Sequence, residues 1–259
     1  AETSVSQDLE GHGGGIFVYN SDVEISNSQI NLNQATLQEN KGGALYFEGD
    51  GSGNIIKISD TDIRGNIAKT ASAIYAKSIN VVLDRVTISG NHFNGNIGAA
   101  VYVEMAPMMI LNSVITGNSY NPSINTGAGA IYFEDNIGIS IVNSIIWNNQ
   151  APQFQFSGIN FVDMIYSNLE DGIPTNIDPN YIKINEDLPD EYDNTITLTN
   201  PYFMDPIQYS GNPQIDGNFE LTQYSQSCID MGTVSILEYQ DSFYDFEITD
   251  YNGTAPDIG

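Results

Sequence analysis

The residues of this sequence best suited to chemistry form a recurring triplet, in which a tyrosine is followed two positions later by a charged side chain. The tyrosines lie 29, 27 and 30 residues apart, in the triplets Tyr46–Glu48, Tyr75–Lys77, Tyr102–Glu104 and Tyr132–Glu134. An aromatic ring with a polar tip can stack on the C–H face of a sugar, and a carboxylate can accept hydrogen bonds from sugar hydroxyls. We therefore expect all eight residues to form one ligand-binding surface.

The same carboxylates offer a catalytic alternative. If the repeats stack as strands about 4.8 Å apart, Glu104 and Glu134 would lie about 5 Å apart, as in a retaining glycosidase. Glu48 and Glu104 would then be about 9–10 Å apart, near the limit for an inverting enzyme. Lys77 lies between Glu48 and Glu104 in the row, where it compensates their charge. A binding surface and a glycosidase both remain open.

A polysaccharide lyase is a further alternative, because it needs a cation or Ca²⁺ to neutralise a uronate and a base to remove the α-proton. Five of the seven Lys and Arg residues fall between residues 57 and 85, among Asp60, Asp62 and Asp84. An ordinary ion pair between Arg85 and Asp60, of small energetic effect, explains this cluster equally well. Catalysis and ion pairing are both open here.

Internal repetition indicates the elements that position these residues. A first phrase combines small, aliphatic and aromatic residues and recurs five times, at 14–19, 43–48, 72–77, 99–104 and 129–134. A second phrase opens and closes on an aliphatic residue and keeps step with the first, at 25–30, 58–63, 83–88, 110–115 and 141–146, with a weaker copy at 164–169. One asparagine follows each of the first five copies after three residues: Asn33, Asn66, Asn91, Asn118 and Asn149.

Both phrases alternate with a period of two and are rich in β-branched and aromatic residues, which is typical of strands. One repeat cannot bury its apolar face alone, whereas stacked repeats can. The sequence therefore predicts an all-β fold, a right-handed parallel β-helix (a single-stranded solenoid of about six coils) with an irregular C-terminal extension.

The alternation also predicts which side chains face the core. Leu45, Ile131 and their equivalents point inward, and the tyrosines point outward. These rings form either an exposed column or a column in which they stack on one another or are covered by the 170–200 segment. Small side chains of the second phrase form an inward column, which comprises Ser28, Thr61, Val86, Ser113, Ser144 and Ser167. The asparagines suit a corner, because Asn tolerates the left-handed conformation and its amide can hydrogen-bond along the stack.

Three segments are predicted along the chain: coils over 1–169, an acidic and Pro-rich loop insertion over 170–200, and C-terminal coils with the ending over 201–259. The insertion carries four carboxylates, Asp187, Asp190, Glu191 and Asp193. Such hard oxygen ligands suit Ca²⁺, although the usual calcium-loop spacing is missing and a solvated acidic loop is the alternative. No other cofactor is predicted.

Composition excludes several classes of partner. The chain has 33 Asp and Glu against 7 Lys and Arg, a formal charge of −26, so it lacks the basic surface that nucleic acids require. No apolar run approaches the length of a membrane span, so no membrane insertion is expected. Cys228 is the single cysteine, which rules out an intramolecular disulfide.

The phrases also resemble known families. The Gly-Gly-Ala-aliphatic-aromatic phrase resembles repeats of polymorphic outer-membrane proteins and of secreted pectate-lyase-like β-helices. The C-terminal phrases 200–206, 217–221, 227–232 and 256–259 resemble the ending of bacterial choice-of-anchor Q domain proteins, although Gln226 and Ser227 stand where that pattern has Ser and Pro.

This resemblance implies an extracellular, cell-surface location, with signal and anchor segments outside this sequence. It implies a surface scaffold or adhesin that contacts other cell-surface or secretion components. The outward Tyr/Glu face adds a polysaccharide or surface glycan as an expected partner. A carbohydrate-active enzyme acting along the same face, either a polysaccharide lyase or a glycoside hydrolase, is the alternative.

Overall fold

The computed structural model describes residues 12–37, 40–95, 97–121, 123, 126–135, 138–158, 162–170, 182–183, 200–226, 228–229, 232 and 258–259. These residues form stacked parallel strands that wind into a β-solenoid of about five turns, without a helix. The predicted parallel β-helix class is therefore confirmed. Among the described residues, no helix is long and apolar enough to cross a membrane.

The first sheet is built from the first phrase of each repeat. Its parallel strands stack in the order β1 (Ile16–Tyr19), β5 (Leu45–Glu48), β8 (Ala71–Lys77), β11 (Ile97–Glu104), β16 (Ile131–Glu134) and β19 (Phe154–Ser157), with β15 (Thr126–Gly127) beside β11.

The second sheet is built from the second phrase and is also parallel throughout. It comprises β2 (Val23–Ser26), β3 (Gln29–Asn31), β6 (Ile55–Arg64), β9 (Asn80–Ser89), β12 (Met108–Leu111), β13 (Val114–Thr116), β17 (Ile139–Val142), β18 (Ile145–Trp147), β20 (Val162–Ile165), β21 (Asn168–Leu169) and β22 (Ile182–Lys183).

Two smaller sheets complete the described part of the chain. The corner after the second phrase forms a parallel sheet of β4 (Gln34–Ala35), β7 (Ile67–Ala68), β10 (His92–Phe93) and β14 (Ser119–Tyr120). A C-terminal hairpin pairs β23 (Phe203–Asp205) with β24 (Asn218–Leu221) in antiparallel fashion. The further coils predicted within 201–259 stay a prediction, because much of that range lies outside the described residues.

The core lies inside the coils, as the alternation predicts. Leu45, Phe47, Ile131 and Phe133 are fully buried in one apolar cluster with the inward residues of the second sheet. Burial of each such side chain contributes about 1.5–3 kcal/mol. The predicted small-residue column is also confirmed: the Ser113 hydroxyl donates to the Leu111 carbonyl and accepts a hydrogen bond from the Val86 N–H.

The asparagine column confirms one part of its prediction and corrects another. Each of the first four side-chain amides donates to the amide oxygen of the next asparagine along the stack, at 2.8 to 3.0 Å. The left-handed conformation, however, belongs to the residue before each asparagine: Leu32, Gly65, Gly90, Gly117 and Asn148. The preceding residue turns the chain, which leaves the asparagine free to point inward and bond.

The C-terminal segment packs on the outside of the second sheet. Val114 and Ile145 point outward and are covered by Phe203, Cys228 and Ile258. Cys228 is a buried free thiol, as its apolar neighbours predict. Farther along the segment, the Gln214 N–H donates to the Gly90 carbonyl at 2.8 Å. This cover places the hairpin beside the arginines of the second sheet.

Candidate functional site

The tyrosines of the triplets form one continuous column on the outer face of the first sheet. The strand register aligns Tyr46, Tyr75, Tyr102 and Tyr132 directly, with Phe17 at one end. Neighbouring ring centroids are 4.7 to 5.3 Å apart, and each pair is stacked. This spacing is the spacing of the strands themselves, so the register alone brings the rings into contact.

The structure decides between the two interpretations of this column: the rings stack on one another and are not exposed. The four tyrosines are only 4%, 0%, 6% and 5% exposed in chain order. Their ring faces cover one another, and the small side chains of Ala71, Ala99 and Ala128 pack alongside them. A sugar therefore cannot stack on the faces of the inner rings.

The charged residues of the triplets form a second row beside the rings. Glu48, Lys77, Glu104 and Glu134 align in register on successive coils, and each is half-buried. Lys77 Nζ lies 2.6 Å from Glu104 Oε1. This ion pair is the charge compensation that the sequence predicts for Lys77.

Hydrogen bonds join the tyrosine column to the charged row. Tyr75 donates to Glu104 and Tyr102 donates to Glu134, each on the next coil. Tyr46 instead donates to Glu48 of its own strand, at 2.6 Å. On the next coil the charged position is Lys77, which aligns with Glu48 and has no acceptor atom. The Tyr46 hydroxyl therefore donates to Glu48 of its own strand.

These contacts set the protonation states of the row. Burial favours the neutral form of Glu104, but hydrogen bonds from Lys77 and Tyr75 outweigh it and hold the pKa of this carboxyl below its ordinary value. The hydrogen bond to Glu104 raises the pKa of Lys77. Burial and the carboxylate acceptors raise the pKa of Tyr75 and of Tyr102. Glu104 is thus a stable anion that suits hydrogen-bond acceptance better than the general-acid step of a glycosidase.

The aspartates and arginines between residues 57 and 85 form ion pairs. Arg85 binds Asp60 through Nε at 2.6 Å and through Nη2 at 3.0 Å, and it reaches Asp84 through Nη1 at 2.8 Å. Arg64 Nη2 lies 3.0 Å from Asp62. The Arg85 hydrogen bond lowers the pKa of Asp60. Because the Arg85 and Asp60 side chains are 53% and 39% exposed, the energetic contribution of this pair is small.

The predicted calcium ligands Asp187, Asp190, Glu191 and Asp193 lie outside the described residues. Within the described part of the chain, no group of three or more His, Cys, Asp or Glu side chains is placed to hold a metal ion.

The sequence did not indicate two residues that join the tyrosine column. Lys41 Nζ donates to the Tyr75 hydroxyl at 2.8 Å and lies 4.4 Å from the centre of its ring. His12 stacks on Tyr46 with 4.6 Å between ring centroids. Both residues precede a first phrase and lie outside its repeat, so the pattern carried no signal for them.

Comparison with known proteins finds no protein family, no curated protein and no solved structure that matches this chain.

Proposed function

We propose that this protein is an extracellular scaffold or adhesin of a bacterial surface that contacts glycans through the charged row. We assign it to the secreted pectate-lyase-like β-helix proteins, with an ending of the choice-of-anchor Q type. Its expected partners are a polysaccharide or surface glycan and other cell-surface or secretion components. The proposal rests on the sequence resemblance and on the geometry of the row.

One observation carries the proposal: the charged row is a half-buried, hydrogen-bonded array that repeats once per coil. Its carboxylates keep accepting capacity, and a coil rise of about 4.8 Å is close to the length of one sugar unit. Sugar hydroxyls along the axis would therefore meet a new acceptor at nearly every coil. The mode of contact is polar and edge-on, because the ring faces are occupied.

A scaffold also needs stiffness along its axis, and three side-chain ladders supply it. The asparagine amides, the serine and threonine hydroxyls and the stacked tyrosines each join neighbouring coils. Such stacks couple neighbouring repeats, so one coil opens only at the cost of its contacts with both neighbours.

Glycan binding by the purified protein and by Glu134→Gln tests the proposal. Glu134→Gln keeps the side-chain volume and removes the charge, and we expect it to weaken retention on polysaccharide-coated beads about fivefold or more. Exposed Glu24 offers the matched control Glu24→Gln, which should leave retention unchanged.

Two outcomes would contradict the proposal. The first is a wild-type protein that no polysaccharide of a broad panel retains. The second is release of reducing sugar or of unsaturated uronate from that panel, which would favour the glycosidase or the lyase instead.

A further inference from the structure

We infer that the cleft between the second sheet and the C-terminal hairpin is a binding site for a neutral saccharide. This inference rests on the proposed glycan-contacting function and names a separate site for it. The cleft has a volume of about 600 Å³, within the range of about 300–1,000 Å³ that small-molecule sites occupy.

The two walls of the cleft come from distant parts of the chain. Arg64, Arg85 and Thr87 line it from the second sheet, and Asn218 and Glu220 line it from β24. Arg64 ties the walls together, because its Nη1 donates to the Gly217 carbonyl at 3.2 Å and its guanidinium lies 5.2 Å from the centre of the Phe219 ring. The site is therefore assembled only when the hairpin is docked.

The cleft offers hydrogen-bonding groups with capacity left over. An arginine has five N–H donors. Arg64 uses two of them, on Asp62 and the Gly217 carbonyl, and Arg85 uses three, on Asp60 and Asp84. The Thr87 hydroxyl is half-buried and has no hydrogen-bond partner within the described part of the chain. A ligand rich in hydroxyl groups would suit this set of groups, which comprises the remaining arginine N–H donors, the Thr87 hydroxyl, the Asn218 amide and the Glu220 carboxylate.

The charges around the cleft select a neutral ligand. Arg64 and Arg85 are already paired, the first with Asp62 and the second with Asp60 and Asp84, which lie beside the cleft lining. Glu220 in the wall has no ion-pair partner among the described residues, so four carboxylates surround two guanidiniums. A uronate or a phosphate would have to displace these pairs against a net negative field. A neutral sugar needs only to bridge donors and acceptors that are already held in place.

Two cleft variants test the inference by isothermal titration calorimetry. The probes are neutral tetrasaccharides of glucose, mannose, galactose and xylose, with a galacturonate tetrasaccharide as the charged comparison. We expect Thr87→Val and Asn218→Ala each to raise the Kd for the tightest neutral probe about fivefold or more. Thr70→Val makes the same chemical change outside the cleft and should leave the Kd unchanged.

Different results would overturn the inference and the proposed function. Unchanged affinity in both cleft variants, with a loss in Glu134→Gln, would move the site to the charged row and leave the glycan-contacting function intact. Tighter binding of the galacturonate probe than of every neutral probe would overturn the ligand class. A wild-type protein that binds none of the probes would overturn both the cleft site and the function on which it rests.

Discussion

Two outward faces of the β-helix are both buried, but by different means. On the first sheet the tyrosines cover themselves, because each ring stacks on its equivalents in the neighbouring coils. On the second sheet Val114 and Ile145 are covered by Phe203, Cys228 and Ile258, which come from a remote part of the chain.

The difference shows that one outer face of a repeat can be buried by contact between equivalent side chains of neighbouring coils. Another face of the same repeat can still need a segment from outside the repeat to cover it. The tyrosine column is built into each coil, so it forms with the stack. The residues that cover the second sheet are far from it in sequence, so their contact can be lost while the coils stay folded. Substitutions on the two faces should therefore have distinct signatures.

The largest effect is expected from Tyr75→Ala on the self-covered face. This side chain is 0% exposed and stacks on both sides. Loss of a buried ring of this size should lower the free energy of unfolding by about 3–5 kcal/mol in urea titrations. Tyr75→Phe keeps the ring and loses only the hydroxyl bonds, so it should cost about 1–2 kcal/mol. Equal losses in the two variants would mean that the stacked rings do not stabilise the fold.

Phe203→Ala should destabilise the packing of the C-terminal segment on the second sheet and leave the coils intact. The side chain is 7% exposed and packs at right angles to Phe219. We expect a loss of about 2–4 kcal/mol, confined in hydrogen exchange to the hairpin and to β13 and β18. Phe203→Leu retains most of the contact and serves as the control. Loss of protection in β5 and β8 as well would show that the two faces are not independent.

Gly90→Ala should show an intermediate effect, because it targets the contact with the docked segment. A Cβ at this position would lie 2.2 Å from the Gln214 carbonyl oxygen, in a backbone with a φ of +61°. Leu32 has a similar φ of 59° and lies at the end of the same column, so the left-handed turn itself tolerates a side chain.

We therefore expect Gly90→Ala to cost about 1–3 kcal/mol and to expose residues 206–217 to proteolysis. Leu32→Ala, at the equivalent turn, is the control and should leave the cleavage rate at the wild-type level. Unchanged protection of the Gln214 N–H in the Gly90 variant would contradict this account.

The smallest effect is expected from pH and concerns Glu104. Its pKa is lower in the folded protein than its ordinary value of 4.5, so the unfolded chain takes up the proton first. The stability that this carboxylate contributes is present above pH 4.5 and is lost as the pH falls through the folded pKa. Glu104→Gln should therefore flatten the dependence of unfolding free energy on pH below 4.5. Parallel curves for the wild type and Glu104→Gln would refute the assignment.

The repeats made most of the coil architecture predictable. Residues such as Leu45 and Phe47 follow a strict alternation, and alternation in a strand leaves a single choice of inward face. The alignment of Tyr75 with Tyr102 likewise follows from equal repeats stacked in parallel. The alternation left exposed and stacked rings both open, because it fixes which way a ring points and not what covers its face.

The sequence by itself determined the parallel β-helix, its inward columns and the alignment of the tyrosine and charged rows, since all of these repeat with each coil. The tertiary structure alone decided that the rings are covered, that Tyr46 takes a different acceptor from Tyr75, and that the hairpin forms a cleft with Arg64 and Arg85. The physical reason is the range of the contacts. Periodic contacts are encoded many times and can be recognised by their repetition, whereas the docking of residues 203–221 is encoded once, between segments far apart in the chain.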